Sequence, residues 1–400
     1  MNKKKAVLNK EEIVNNILII KEADIEPFQA PISMPDLSGN ELKYITDCVN
    51  SGWISSQGQY VKRFEKDFSA FTQSKFGVAV MNGTVALHLA LLALGIGEGD
   101  EVILPDLTFA ATINAVLYVG AKPVIVDVGI DDWCISPVAI EKAITTKTKA
   151  IIPVHLYGQV CKMGIIMEIA RKYHLKVIED CAEAHGAEFN GQKVGTFGDI
   201  GCFSFFANKI ITTGEGGMCV TNSESLAEEL CVLRDHGMSK TRRYWHEKVG
   251  YNYRLTNLQA AIGCAQLENI SSILEKREDI EKSYIDGLKD VKEISFQGKF
   301  NKRKKVTWLT SALLSPMINR EAFIKKMSIV GIDIRPFFYP LSTMPIYAQF
   351  SNDQGNPVAL ELSHRGINLP TMTSKNSDFY ATIIEQIKAF FCQTIVSSEL

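Results

Sequence analysis

One feature constrains this chain more than any other. Between Phe76 and Asp180, short apolar runs alternate with segments long enough for three helical turns. FGVAVM, DEVILP, KPVIVDV, KAIIPVHLYG and LKVIED are rich in the Val and Ile of buried strands; VALHLALLALG, FAATINAVLYVG and MGIIMEIARKYH lie between them. A strand that is apolar throughout needs cover on both faces, and intervening helices supply it. The alternation therefore predicts βαβ units and a mainly parallel sheet. CFSFF and GGMCVTN read as two further strands. After Tyr253 the run NLQAAIGCAQLENISSILEKREDIEKSYIDGL reads as a helical spine, and from about Gly287 the pattern becomes α+β through VTWLTSALL, FIKKMSIVGIDIRPFF and DFYATIIEQIKAFF. The expected fold class is α/β, a large mainly parallel mixed-sheet domain with a smaller α+β C-terminal domain. Expected divisions are an N-terminal extension at 1–35, a large domain at 36–275 and a small domain at 276–400. In the extension, Glu11 to Ala23 reads as a short amphipathic helix, and Pro27, Pro31 and Pro35 keep the chain extended. The pattern after Gly39 reads as a helix capped at Gly52.

Composition narrows the function classes. A formal charge of −2 gives no basic field for nucleic acid. Nine scattered cysteines without a CxxC pair suit free thiols in a reducing compartment, with neither a disulfide framework nor a metal site expected. No apolar run reaches the roughly 20 residues of a bilayer span, and the charged start has no secretory apolar core. A cytoplasmic location without membrane attachment is expected. The basic run KFNKRKK (299–305) reads as a solvated loop.

The sharpest chemistry lies between Leu175 and Asn222. The strand LKVIED ends in Glu179 and Asp180, and Lys209 follows CFSFF before a Gly-rich turn. Sites in open α/β sheets form beyond the carboxyl ends of strands, so Asp180 and Lys209 can share one crevice. A lysine opposite a fixed carboxylate suits Schiff-base chemistry. Pyridoxal phosphate needs a lysine for its aldehyde, a carboxylate for its ring nitrogen and a phosphate cradle. Asn82, Gly83 and Thr84 lead from a strand into a helix, where free amides, with Val85 and the Thr84 hydroxyl, can bind phosphate. Ser204 can add a hydroxyl. On spacing alone plainer readings hold: a surface lysine, two helix caps and an ordinary turn. GIGEG (95–99) follows a helix and precedes a strand, the reverse of a dinucleotide loop. The histidines are dispersed, and His185, beside the carboxylates, is the one best placed for a site role.

Taken together, NGTVALHLAL, PDLTFAATINAV, EDCAEAHGAEF, KVGTFGDIGCFSFFANKIITTGEGG, GYNYRLTNLQAAIGCAQLE and RGINLP resemble the DegT/DnrJ/EryC1/StrS family of sugar aminotransferases, of the aspartate-aminotransferase fold. The resemblance covers about residues 35 to 395. It implies pyridoxal phosphate as cofactor, Lys209 as the lysine that bonds its aldehyde, and Asp180 as the partner of its ring nitrogen. It places Glu183, where many members carry Gln, near the ring hydroxyl. It implies Gly83, Thr84 and Ser204 as phosphate ligands, Phe109 as the ring over one cofactor face, and Asn252 as a contact to the phosphate of a neighbouring subunit. A homodimer with shared sites follows. The implied reaction moves an amino group from L-glutamate to carbon 4 of a GDP-linked 4-keto-6-deoxy sugar. The alternatives are a UDP-linked 4-keto sugar and a non-catalytic regulatory protein on the same fold. Candidate sugar and diphosphate contacts are Trp53, Ser56, His185, Tyr244, Trp245, His246, Arg335, His364 and Arg365. Two departures stand beside the cofactor: Ala207 replaces a glycine, and His185 replaces an aromatic residue.

Overall fold

The computed structural model describes residues 28–351 and 355–398. The expected helix from Glu11 to Ala23 and the extended Pro27 lie outside the described residues. Seven strands form the main sheet: β1 (Phe76–Val80), β2 (Glu101–Pro105), β3 (Lys122–Val126), β4 (Thr148–Ile151), β5 (Lys176–Asp180), β6 (Ile200–Ser204) and β7 (Gly217–Thr221). Their order is β1-β7-β6-β5-β4-β2-β3. Only β7 runs against its neighbours, in register Val78↔Cys219 and Cys202↔Cys219. The other pairs are parallel.

The strand alternation sorts side chains into two cores. Ile103, Ile151, Val177 and Phe203 enter one, with Phe64, Phe68 and Phe205. Val102, Leu104, Ala150, Ile178 and Cys202 enter the other, with Leu87, Leu91 and Ile113. This double burial is why β2, β6 and β7 are buried at every residue and why they read as continuous apolar runs. Gly52 ends the helix Glu41–Ser51 at φ 72°, as its sequence predicts.

Four more strands, β8 (Ile294–Phe296), β9 (Thr310–Leu314), β10 (Arg335–Pro336) and β11 (Gly366–Leu369), make an antiparallel sheet in the order β8-β9-β11-β10. Its core gathers Tyr284, Phe323, Ile383 and Ile387 from the helices Ile270–Leu288, Arg320–Ile329 and Ser377–Ser398. The predicted spine is two helices, Asn257–Glu268 and Ile270–Leu288, that meet at Asn269 with φ −102° and ψ 3°. The first packs with the large sheet's core and the second carries Tyr284 into the small sheet's core.

The basic run departs from its expectation as a solvated loop. Arg303 and Lys304 form a short strand against Glu188–Phe189. Arg303 pairs with Asp132 at 2.7 Å and Lys305 with Glu281 at 2.5 Å, so two of its cations are spent inside the fold.

Candidate active site

A cavity of about 410 Å³ opens beyond the ends of β5 and β6 and against the start of the helix Gly83–Ala93. Asp180, Glu183, Ser204 and Lys209 line it together with Asn82, Gly83, Thr84, Phe109, Trp308 and Phe338. Residues far apart in the chain thus meet because the parallel strands all end at one edge.

Asp180 ends β5 and is buried. Its Oδ2 accepts from Thr112 Oγ1 at 2.9 Å and its Oδ1 from the Ala182 amide at 3.2 Å. Burial pushes its carboxyl above the usual carboxylate range, against the pull of these donors and of the Lys209 charge. A carboxylate held this way favours a cation brought into the cavity. Glu183 is buried too: Oε2 accepts from the Tyr157 amide at 2.8 Å and Oε1 faces Lys209 Nζ at 3.4 Å. Burial raises its carboxyl, and Lys209 opposes the rise. Lys209 Nζ also lies 4.0 Å from the centroid of the Trp308 ring.

The cradle forms at the helix start. Asn82 Oδ1 accepts from the Val85 amide at 3.0 Å and Asn82 O from the Ala86 amide at 3.2 Å. The preceding residues, Gly83 and Thr84, face the cavity. A Cβ on Gly83 would stand 2.8 Å from Ser204 Cβ, and one on Gly217 would run into the Asn82 carbonyl. Only small residues let this helix end close on Ser204. An anion's amides and hydroxyl, a buried carboxylate and an amine therefore line one cavity, and this donor set fits the phosphate, ring nitrogen and aldehyde of pyridoxal phosphate.

Phe109 is 59% exposed at the cavity mouth, its ring 5.7 Å from that of Phe338. The structure puts the remaining candidates elsewhere. His185 is a correction: it is fully buried among Phe68, Phe203 and Phe205, and both ring nitrogens lack a hydrogen-bond partner. Strand alternation explains this, since Ser204 turns to the cavity while Phe203 and Phe205 turn to the opposite core. Burial drives the imidazole down to about 3, so it is neutral. Arg335 is exposed and paired with Asp333 at 2.7 Å. Arg365 donates to the Leu314 carbonyl at 2.8 Å, and His364 is exposed on the same helix. None of these lines the cavity. Trp53, Tyr244, Trp245, His246 and Asn252 are exposed and Ser56 half-buried, all outside the lining of this chain's cavity. Asn252 Oδ1 accepts from Arg254 there.

Thr112, Tyr157, Trp308 and Phe338 are functional neighbours that carry no mark of their own in the sequence. Trp308 lies in a strand-like apolar run, and nothing in that run marks it as reaching Lys209. His155, Glu179 and Cys181 also come together, with one ligand atom from each inside 4.8 Å, but both Glu179 oxygens are taken. They accept from the Gly195, Phe197 and Gly198 amides and from His155.

Comparison with known proteins agrees with this geometry. The model of the DegT/DnrJ/EryC1/StrS aminotransferase family matches residues 35–388. The chain is 45% identical over 363 residues to GDP-perosamine synthase of Escherichia coli O157:H7, covering 90% of this chain and 98% of the relative. It is 43% identical over 366 residues to GDP-perosamine synthase of Vibrio cholerae, covering 90% and 99%. Streptococcus pneumoniae Spr1654 in its PLP form superposes with a TM-score of 0.87 at 29% identity, covering 92% of this chain and 99% of that one.

Proposed function

We propose, for a chain that belongs to the DegT/DnrJ/EryC1/StrS aminotransferase family, a specific substrate pair and a set of residue roles. The protein is a pyridoxal-phosphate-dependent sugar aminotransferase. Its proposed reaction takes the amino group of L-glutamate and places it on carbon 4 of GDP-4-keto-6-deoxy-mannose, giving GDP-perosamine. The relatives named for that product support this substrate, as does their coverage of nearly the whole chain. A product of this kind suits the building of cell-surface polysaccharide such as O-antigen. The free cysteines suit work in a reducing cytoplasm. No helix among the described residues is long and apolar enough to cross a membrane.

When bound, the coenzyme supplies an electron sink for the carbon that loses or gains a proton. The chain supplies everything else. Gly83, Thr84 and Ser204 hold the phosphate at the positive end of a helix. Asp180 holds a proton on the ring nitrogen; its burial makes the ion pair strong and its loss costly. Glu183 would meet the ring hydroxyl and Phe109 would cover one face, since both line the cavity. Lys209 Nζ would hold the aldehyde between turnovers, and as a free amine it would take the α-proton of glutamate and, in the other half-reaction, give a proton to sugar carbon 4.

The proposed assembly is a homodimer. Trp53, Tyr244 and Trp245 are 55%, 75% and 52% exposed. The Trp53 strip is tied to the start of the helix Asn257–Glu268, five residues after Asn252, because Asn257 Nδ2 donates to the Trp53 carbonyl at 2.6 Å. Exposed aromatics beside Asn252 suit a second copy, whose phosphate site Asn252 would reach.

The observation that carries this reading is a single cavity holding Lys209, Asp180 and the Gly83–Ser204 cradle. Parallel turnover assays with GDP- and UDP-linked 4-keto-6-deoxy sugars test it. Turnover confined to the GDP sugar is expected; preference for the UDP sugar would replace the substrate. Co-expressed Lys209→Ala and Asn252→Ala chains should recover activity that neither variant has alone, through one intact site per hybrid dimer.

A further inference from the structure

We propose that Trp308 is a positioning residue for Lys209: its ring face and the Glu183 carboxylate form a two-sided seat for the ε-amine whenever that amine is not bonded to the coenzyme. This rests on the role proposed above for Lys209.

The seat is visible in the contacts. Nζ lies 4.0 Å from the Trp308 ring centroid and 3.4 Å from Glu183 Oε1, so the amine meets a π face on one side and a carboxylate on the other. An ammonium is attracted to an indole face, more strongly where water is excluded. Here the lysine side chain is 13% exposed and Trp308 is 4% exposed.

The ring is held through its indole N–H, its own carbonyl and a stacked tyrosine. Indole Nε1 donates to the carbonyl of Asn208, the residue before the lysine, at 2.7 Å. The Trp308 carbonyl accepts from Arg277 Nη1 at 2.5 Å. Arg277 is a buried cation whose Nε has no hydrogen-bond partner, so an expensive group is committed to this point. Just upstream, Glu281 accepts from Lys305 Nζ and from Thr307 Oγ1 at 2.9 Å, clamping the approach to Trp308 onto the same helix. The Val306 amide donates to Gly158 O at 3.1 Å. Gly158 has φ 87°, and a Cβ there would run into the Val306 carbonyl. The neighbouring Tyr157 stacks on Trp308 at 6.1 Å and 18°, and its amide holds Glu183. Lysine, carboxylate, tyrosine and tryptophan close one ring of contacts. The strip before β9, packed on the helix Ile270–Leu288, thereby sets where an amine from the large sheet rests.

A lysine that must leave the coenzyme and return as a base in each half-reaction gains from such a seat, because a free four-carbon chain samples many rotamers. Phe keeps a π face and Leu of similar bulk does not, so the pair isolates the ring face from mere filling. In the coenzyme-loaded full-length protein, Trp308→Leu should slow the single-turnover reaction with glutamate about 10- to 30-fold, with KM for glutamate moving less than about twofold. Trp308→Phe should recover most of the rate. Trp308→Met serves as a second non-aromatic replacement if the leucine variant does not fold. A second readout does not depend on turnover. With the coenzyme in its amine form, trace acetylation of Lys209, measured on its peptide relative to exposed Lys172, should be several-fold faster in the Leu variant and close to wild type in the Phe variant. Equal slowing in Leu and Phe variants, or unchanged labelling in both, would overturn the seat and leave Trp308 as packing. Borohydride fixation of the coenzyme in the wild type separates the two layers. Fixation at another lysine defeats the functional reading itself. Fixation at Lys209 with a wild-type-like Leu variant defeats only the seat.

Discussion

Glu179 and Asp180 are consecutive residues at the end of β5, both carboxylates and both buried, yet they do opposite work. Glu179 is fully spent. Oε1 accepts from the Phe197 and Gly198 amides at 2.7 and 2.9 Å; Oε2 accepts from the Gly195 amide at 2.9 Å and from His155 at 3.1 Å. The His155 proton sits on Nε2, since Nδ1 accepts from the Cys161 amide. Asp180 has two donors and borders an open cavity. Burial raises its carboxyl, which marks a group whose electrostatic demand is unmet by the chain alone. The strand pleat turns one carboxylate to loops that need organising and the next to a ligand. A buried charge with every lone pair used is architecture; one left short is a site.

Substitutions at the two positions should therefore separate chemistry from folding. The largest effect on turnover belongs to Asp180→Asn: kcat should fall about 10²- to 10³-fold, because a buried pair is broken, while coenzyme-free stability is retained or increased. Steady-state kinetics and urea melts of the coenzyme-free protein check both halves. The reciprocal case is Glu179→Ala. Four donors lose their acceptor, and stability should fall by about 3–5 kcal/mol, with a much smaller loss of activity per folded molecule. If the two variants exchange these behaviours, the contrast between them is broken.

The cradle gives a smaller effect. Gly83→Ala brings a Cβ to 2.8 Å from Ser204 Cβ, which should weaken coenzyme affinity about tenfold while lowering stability by about 1–2 kcal/mol. Equilibrium titration with pyridoxal phosphate measures it.

The pH dependence sharpens the comparison further. Asp180 and Glu183 are raised in the folded state, so the unfolded chain releases their protons first. Coenzyme-free stability should therefore fall as pH rises from about 4 through the raised values, and Asp180→Asn should flatten that fall. His185 acts with the opposite sign. Its folded value is depressed to about 3, so the unfolded chain takes the proton first as pH drops below about 6.5. Stability should be lost on the acid side, and His185→Phe should remove that part. Melts from pH 4 to 8 on the three proteins resolve the signs; near neutrality this is the smallest effect of the set.

How much of this was legible depends on distance along the chain. The main sheet could be read because burial writes Val or Ile into every strand, as in β2 and β5. Lys209 and Asp180 could be placed at one crevice because parallel strands end together. The helix Gln59–Thr72 carries Tyr60, Val61, Phe64 and Phe68 on one face, but it lies outside the strand–helix alternation that makes the rest of the large domain readable. His185 misled because closeness in sequence to Asp180 says nothing about which side of the sheet a loop residue takes. Trp308 was illegible for another reason: it precedes a strand of the small sheet, and only tertiary packing brings its ring to Lys209 and Tyr157. The exposed aromatics at 53 and 244–245 could be recognised as contact-makers but not as lying outside their own chain's cavity.

The most direct test is to load the full-length protein with pyridoxal phosphate, reduce it with borohydride and map the modified peptide by mass spectrometry. A single reduced pyridoxyl group on Lys209, absent from Lys209→Arg and weakly formed in Asp180→Asn, is the expected result. A protein that takes up no coenzyme, or fixes it on a different lysine, would contradict the assignment of this cavity.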